Sequence, residues 1–185
     1  MMKISANGLA VMKYFETCEL NAYPDPGSDL GKACTARKLA MRDYRLVPDW
    51  QKLSGSPWTI GWGHTGREVK PGLVWTQKQA DDGLLADLKR FEDGVSSLVS
   101  VELKQGQFDA LVSFAYNVGL TALKNSTLLE MVNNKRFDLA LSQFARWNKS
   151  GGRVMKGLVR RRAAESWLWR DASGKEAIAK GIAAA

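Results

Sequence analysis

The 185 residues contain one histidine, His64, and two cysteines, Cys18 and Cys34. A zinc site draws its ligands mainly from those two residue types. Three such residues, with no Cys-x-x-Cys spacing, leave it short, so neither a metal nor another cofactor is expected. No run of eighteen apolar residues occurs, and nothing is expected to span a membrane. The opening Met1-Met2-Lys3-Ile4-Ser5 has no apolar centre and no small-residue cleavage site. It does not read as a secretory signal, which places the chain in the cytoplasm where it is made. Two states are open to Cys18 and Cys34. A bridge across the fifteen intervening residues would be worth roughly 3 kcal/mol in lost chain entropy, whereas a reducing compartment favours two thiols. No internal repeat is present.

What is present suffices for one compact domain of two lobes, with 45% of the residues apolar. The net charge is +8, from 27 basic against 19 acidic residues. Much of the excess lies between Arg146 and Arg170, where Lys149, Arg153, Lys156 and Arg160 to Arg162 face a single acid, Glu165. Such a cluster is either a solvated helix face or an attractor of anionic wall or membrane surfaces. Nucleic acid is not expected as a partner, since no helix-turn-helix or RNA-binding signature accompanies the charge.

Along the chain, Ser5 is a plausible N-cap, and Leu9, Met12 and Phe15 repeat at helical spacing up to about Thr17. Glu16 falls in that helix's last turn, where a carboxylate opposes the helix dipole. Leu20 to Tyr23 reads as a short strand, and Pro24-Asp25-Pro26-Gly27 as a tight turn. Residues 27–56 are too aromatic for a plain linker and read as an ordered flap with a helix over Ala33 to Met41. Trp58 to Trp62 reads as a strand carrying Gly61 and Gly63, with His64 at its end. Glycine weakens a strand unless something approaches its backbone closely. Thr76 with Gln79 forms a capping box at the start of a long helix through Ala80, Leu84, Leu88, Phe91, Val95 and Leu98. Further helices are predicted at Phe108 to Val118, Leu128 to Val132, Phe137 to Trp147 and Leu158 to Trp169. Ser150-Gly151-Gly152 is a break, and 172–185 is a weak tail of helix formers. The fold class is α+β. The small lobe covers about 18–75, with the insertion at about 27–56. The helical lobe covers about 76–170, together with the N-terminal helix.

Taken alone, Glu16 is an ordinary exposed glutamate and Asp25 an ordinary turn aspartate. Together with Thr59-Ile60-Gly61-Trp62-Gly63-His64 they resemble the phage-type lysozymes, glycoside hydrolase family 24. In that family a Glu closes the first helix, an Asp follows nine residues on, and a Thr precedes Ile-Gly-x-Gly-His. Gln107-Phe108-Asp109-Ala110-Leu111, Tyr116-Asn117-Val118-Gly119 and Trp147-Asn148-Lys149 through Arg160-Arg161-Arg162 extend the resemblance, most closely to the lambdoid-type phage endolysin branch. The insertion between Asp25 and Thr59 departs from the family, where only a few residues intervene.

The resemblance implies a lysozyme-like fold and a muramidase that cleaves the β-1,4 bond between N-acetylmuramic acid and N-acetylglucosamine in peptidoglycan. Such cleavage needs an acid for the leaving oxygen and a group that handles water on the other face of the sugar. Glu16, beside Phe15, is the expected acid, and Asp25 with the Thr59 hydroxyl is expected to handle water. A lytic transglycosylase would need the acid without Asp25, and a wall-binding module would need neither; both remain as alternatives. The family also implies a substrate contact at Asn117, an arginine among 160–162 beside Glu16, and a structural ion pair between His64 and Asp87. That pair would raise the histidine's pKa. A monomer is expected, and without a signal of its own the chain would need a permeabilising partner such as a phage holin to reach the wall.

Overall fold

The computed structural model describes residues 2–185. In chain order the elements are α1 (Ala6–Phe15), β1 (Glu19–Pro24), α2 (Asp29–Ala36), β2 (Trp58–Gly61), β3 (His64–Thr65), α3 (Gln77–Leu98), α4 (Gln105–Val118), α5 (Leu120–Lys124), α6 (Thr127–Asn133), α7 (Phe137–Gln143), β4 (Lys149–Ser150), β5 (Arg153–Val154), α8 (Lys156–Trp169) and α9 (Gly174–Ala183). The chain divides into two units, Glu16–Asp87 and Met1–Phe15 with Leu88–Ala185, so the boundary falls within α3. The architecture is α+β.

In the unit Glu16–Asp87, β1, β2 and β3 form an antiparallel sheet in that order. Tyr23 pairs with Thr59, and Ile60 with His64. The stretch predicted as one strand from Trp58 to Trp62 is therefore a hairpin. β2 stops at Gly61, and His64 opens β3 rather than closing β2. The cause is local: Gly61 (φ 64°) and Gly63 (φ 102°) take left-handed conformations that turn the chain. Gly61 has a second reason to lack a side chain, because its Cβ would stand 3.1 Å from the Trp75 ring. Ala22, Ile60 and Val69 form the buried core under the sheet, with Trp58, Leu73 and Trp75 packed on it.

The insertion has a core of its own. Leu30, Cys34, Tyr44 and Val47 are buried together, and Tyr44 meets Trp50 and Trp58 edge-on with ring centroids 5.1 and 5.0 Å apart. Its helix begins earlier than predicted, at Asp29, because the Ser28 hydroxyl accepts from Gly31 N–H at 3.0 Å and caps it. It ends before Lys38, whose φ of 57° cannot continue a helix. Short 3₁₀ turns at Met41–Leu46 and Trp50–Lys52 follow. The first packs against β1. α3 starts as predicted, with Thr76 N–H donating to Gln79 Oε1 at 2.8 Å and Gln79 N–H to Thr76 Oγ1 at 3.2 Å.

In the other unit, α4 is buried continuously from Gly106 to Ala115, and α1 and α8 pack against it. Phe114 meets Phe144 and Trp147 edge-on, at 5.6 and 5.2 Å. The predicted break at 150–152 is the turn of a hairpin joining β4 to β5. Gly151 and Gly152 supply the two positive φ values, 55° and 77°, that such a two-residue turn requires. The weak tail is an ordered helix. Ser173 caps α9, and Gly174 N–H donates to Asn7 Oδ1 at 2.9 Å. Ala177 and Gly181 are buried against α8 and α1. Small residues rather than large ones make this contact, which is why the sequence reading understated it.

Gly181 and Gly157 separate two roles of glycine. A Cβ at Gly181 would stand 2.7 Å from Arg160 O, a backbone atom that cannot yield, whereas Gly157 in α8 has nothing within 4 Å. Gly181→Val is expected to destabilise by about 1–3 kcal/mol, and Gly157→Ala to stabilise by about 0.5 kcal/mol. Paired urea melts of the two variants check this. Equal effects of the same sign would contradict the packing described.

Candidate active site

Strand pairing assembles the site. Tyr23 on β1 and Thr59 on β2 are direct partners across the sheet, so their side chains share one face. The Thr59 hydroxyl hydrogen-bonds the Tyr23 phenol. Asp25 lies one residue beyond β1, and its backbone is held from both sides. Its N–H donates to Gly55 O at 3.0 Å and Pro57 O at 3.1 Å. Its carbonyl accepts from Ser28 N–H at 3.0 Å and Ser28 Oγ at 2.6 Å. Asp25 Oδ1 accepts from Gly27 N–H at 2.7 Å, which fixes the carboxylate rotamer. A Cβ at Gly31 would stand 2.0 Å from Asp25 O, so the first turn of α2 lies directly on this carbonyl. Glu16 sits one residue past the end of α1, not in its last turn as the sequence reading placed it. Glu16, Asp25 and Thr59 are all half-buried.

These residues meet at Tyr23. Burial pushes the phenol's pKa up, and the charges of Glu16, Glu19 and Asp25 push it further in that order, against a smaller downward pull from the Thr59 hydrogen bond. A phenol so placed stays protonated at neutral pH, and three carboxylates stand within its electrostatic reach. Sequence reasoning passed over Tyr23 and Glu19. Strand periodicity would not have grouped them, because β1 is irregular between Glu19 and Tyr23. The insertion also contributes. Arg42 Nη1 lies 3.6 Å from Glu19 Oε2. A pocket of about 220 Å³ beside Tyr23 is lined by Thr17, Glu19, Ala40, Met41 and Arg42.

His64 stands between two carboxylates. Nδ1 is 2.8 Å from Asp87 Oδ2, and Nε2 is 2.6 Å from Glu68 Oε1. Ionised carboxylates only accept, so both ring nitrogens must donate, and only the imidazolium can do that. Burial alone would lower the histidine's pKa. The hydrogen bonds to Glu68 and Asp87, with their charges, outweigh it and raise the pKa above its ordinary value. The His64 hydrogen bond lowers Glu68 in turn. The imidazole also lies against Trp75, with centroids 5.1 Å apart. Asp81 takes a different partner, accepting from Trp62 Nε1 at 2.8 Å and tying the glycine turn to α3.

Asn117, Arg161 and Arg162 belong to the unit that contains α4 and α8. Asn117 lies near the end of α4; it is exposed, and its Oδ1 accepts from Arg162 Nη2 at 3.0 Å. Arg161 and Arg162 are buried, not part of a solvated basic face. They bond Glu165 Oε1 at 3.3 and 2.9 Å, and Ser113 Oγ donates to the same oxygen at 2.8 Å. The basic surface of this region is thus carried by Arg146, Lys149, Arg153, Lys156 and Arg170. Cys18 and Cys34 are both free thiols, so the bridge is not formed. Burial pushes the Cys34 thiol up.

The family model described as phage lysozyme matches residues 43–165, a span that leaves Glu16 and Asp25 outside it. The endolysin of Bacillus phage PZA is 43% identical over 94% of this chain and 57% of its own length. The endolysin of Salmonella phage P22 is 35% identical over 82% of this chain and 87% of its own. Among solved structures, the muramidase domain of SpmX from Asticaccaulis excentricus superposes with a TM-score of 0.71, at 32% identity over 91% of this chain and 98% of that domain. The chain thus spans little more than half of the PZA endolysin.

The His64 contacts have a definite pH signature. The stability held by the raised histidine is fully present below its unfolded pKa of about 6.5 and is lost as pH rises through the higher folded value. Glu68 is lowered, so its share is present above its unfolded pKa and is lost as pH falls through the folded one. The window therefore lies between the two, in mildly acidic solution. Asp87→Asn should cost about 1 kcal/mol there and less at pH 9, and should bring the His64 titration, followed by NMR, back toward its ordinary midpoint. An unchanged midpoint would contradict the assignment.

Proposed function

The chain belongs to the phage lysozyme family, and from that premise we propose that it hydrolyses the β-1,4 bond between N-acetylmuramic acid and N-acetylglucosamine in bacterial peptidoglycan. The observation that carries the reading is the gathering of Glu16, Asp25 and Thr59 around Tyr23 within one unit of the chain. Glu16 is the general acid that protonates the leaving glycosidic oxygen. Asp25 stabilises positive charge developing at the anomeric carbon and takes the proton of an attacking water. Its backbone and one carboxylate oxygen are already held, so little reorganisation is needed when the substrate arrives. Thr59 orients that water through its hydroxyl, and Tyr23 orients Thr59. The His64–Asp87 pair is structural, holding the β2–β3 hairpin to the middle of α3.

Asn117 is proposed to contact a sugar N-acetyl group through the amide nitrogen that its bond to Arg162 leaves available. The exposed basic residues of 146–170 are proposed to hold the protein near anionic wall or membrane surfaces. Access to the wall is proposed to depend on a permeabilising partner of the holin type, acting for a monomeric enzyme. Among the described residues no helix is long and apolar enough to cross a membrane.

Glu16→Gln is expected to lower peptidoglycan cleavage by about 10²–10⁴-fold with the melting curve unchanged. Asp25→Asn is expected to lose about 10²-fold or more. Mass analysis of wild-type products should find reducing muramyl ends. Anhydromuramyl ends would assign a transglycosylase instead, and a Glu16→Gln protein active to within a few-fold would remove the acid.

A further inference from the structure

The insertion builds a second concavity, next to the one at Tyr23. It measures about 380 Å³, and its charged and polar lining is Arg42, Arg45, Asp43 and Asn21, closed by Gly72 and Val74. Arg42 lines this pocket and the Tyr23 pocket alike, so the two are contiguous along β1. Arg42 and Arg45 are three residues apart in a 3₁₀ turn. The turn is kinked at Asp43 between them, and both arginines line the pocket.

Neither arginine is there to close the core. Tyr44, between them, does that, at 3% exposure, and it also sets the position of Arg45. Arg45 Nε donates to the Tyr44 hydroxyl at 3.2 Å, and its guanidinium lies over the Tyr44 ring at 5.7 Å. Among the described residues no carboxylate is within ion-pair distance of Arg45. Gly72 (φ 86°) keeps the pocket open on that side, since a Cβ there would stand 3.1 Å from Arg45 Nη2. Arg42 meets Glu19 only loosely, at 3.6 Å, well beyond the 2.7–2.9 Å of a charge-assisted hydrogen bond. Two guanidinium groups against one lining carboxylate, Asp43, leave a pocket suited to an anion. Neutral sugar hydroxyls and acetamides do not call for such a pair, whereas a carboxylate matches the guanidinium fork.

We propose that this pocket is a subsite for the peptide stem of the substrate, in which Arg42 and Arg45 bind a stem carboxylate while the glycan lies at Tyr23. The proposal rests on the muramidase reading above for its choice of ligand. In peptidoglycan the carboxylates are carried on peptides attached to the muramyl sugars. A stem on a sugar held near Tyr23 therefore needs only to reach the adjoining pocket. The insertion then has a task, which is to select stem-bearing glycan over bare glycan.

The test is equilibrium binding to the Glu16→Gln protein by calorimetry at low salt, with three probes: the muramyl disaccharide carrying its peptide stem, the same fragment with its stem carboxyls amidated, and the stem-free disaccharide. The carboxylate-bearing fragment is expected to bind at least about tenfold more tightly than either other probe. Combining Arg42→Gln with Arg45→Gln should erase that margin. Arg45→Lys, which keeps the charge and removes the fork, should leave part of it; this variant also decides the matter if the double variant does not fold. Equal binding of amidated and free stems, or a margin that survives both glutamines, would overturn the subsite. A glycerol phosphate oligomer that binds the same two arginines more tightly than the stem fragment would also overturn it, in favour of a wall-polymer site. Cleavage of peptidoglycan by the unsubstituted chain is measured separately. Its absence, with the binding margin intact, would remove the hydrolase reading and support the pocket.

Discussion

The pairing of Tyr23 with Thr59 is the contact on which the arrangement of this protein's candidate site depends. The two residues are separated by the whole insertion in sequence and are cross-strand neighbours in space. Side chains alternate along a strand, so a slip of one residue would carry Thr59 to the opposite face of the sheet. Glu19, Tyr23 and Thr59 are useful together only in this register. The hydrophobic side of the same strands holds it: Ala22 and Ile60 are buried, and neither could turn outward without exposing the core under the sheet.

An insertion at this point would be expected to disturb that register, and its construction explains why it does not. Both ends are pinned at Asp25, whose N–H reaches the carbonyls of Gly55 and Pro57 and whose carbonyl receives Ser28. Lengthening a loop whose ends are already held costs little in closure entropy. The added residues offset their own ordering by burying Leu30, Cys34, Tyr44 and Val47 among themselves. The insertion is thus a folded annex with its own aromatic centre, and it presents arginines toward β1 from the turn that packs there.

Charge is handled by enclosure at three places. The imidazolium of His64 is held between two carboxylates. The Tyr23 phenol is kept protonated by burial and by its acidic neighbours. Glu165, with no exposure, is shared by Arg161, Arg162 and Ser113. A buried carboxylate without such partners would be costly. The run of basic residues in sequence therefore holds two kinds of arginine, one serving the interior and one facing water.

Much of this was legible in the chain. The capping box at Thr76 and Gln79, the helical periods of α3 and α4, and the α+β class follow from local preference and periodicity, which act over a few residues. The family pattern of Glu16, Asp25 and Thr59 was legible for the same reason, as residue types at fixed spacing. Other features were not. Gly61 and Gly63 looked like a thinned strand; both take left-handed conformations that turn the chain, and Trp75, fourteen residues on, fills the space a side chain at Gly61 would take. Arg161 and Arg162 looked like surface charge until Glu165 was placed beside them. The tail read as a weak run of helix formers, because its contacts are made by small residues such as Gly181 against Arg160. Tyr23, Glu19 and Arg42 were invisible as a group because only strand pairing and the fold of the insertion bring them together. Sequence by itself determined what is written in short-range periodicity and residue chemistry. Tertiary structure decided which distant groups share a space, because burial, electrostatic neighbours and close backbone approach are properties of that space.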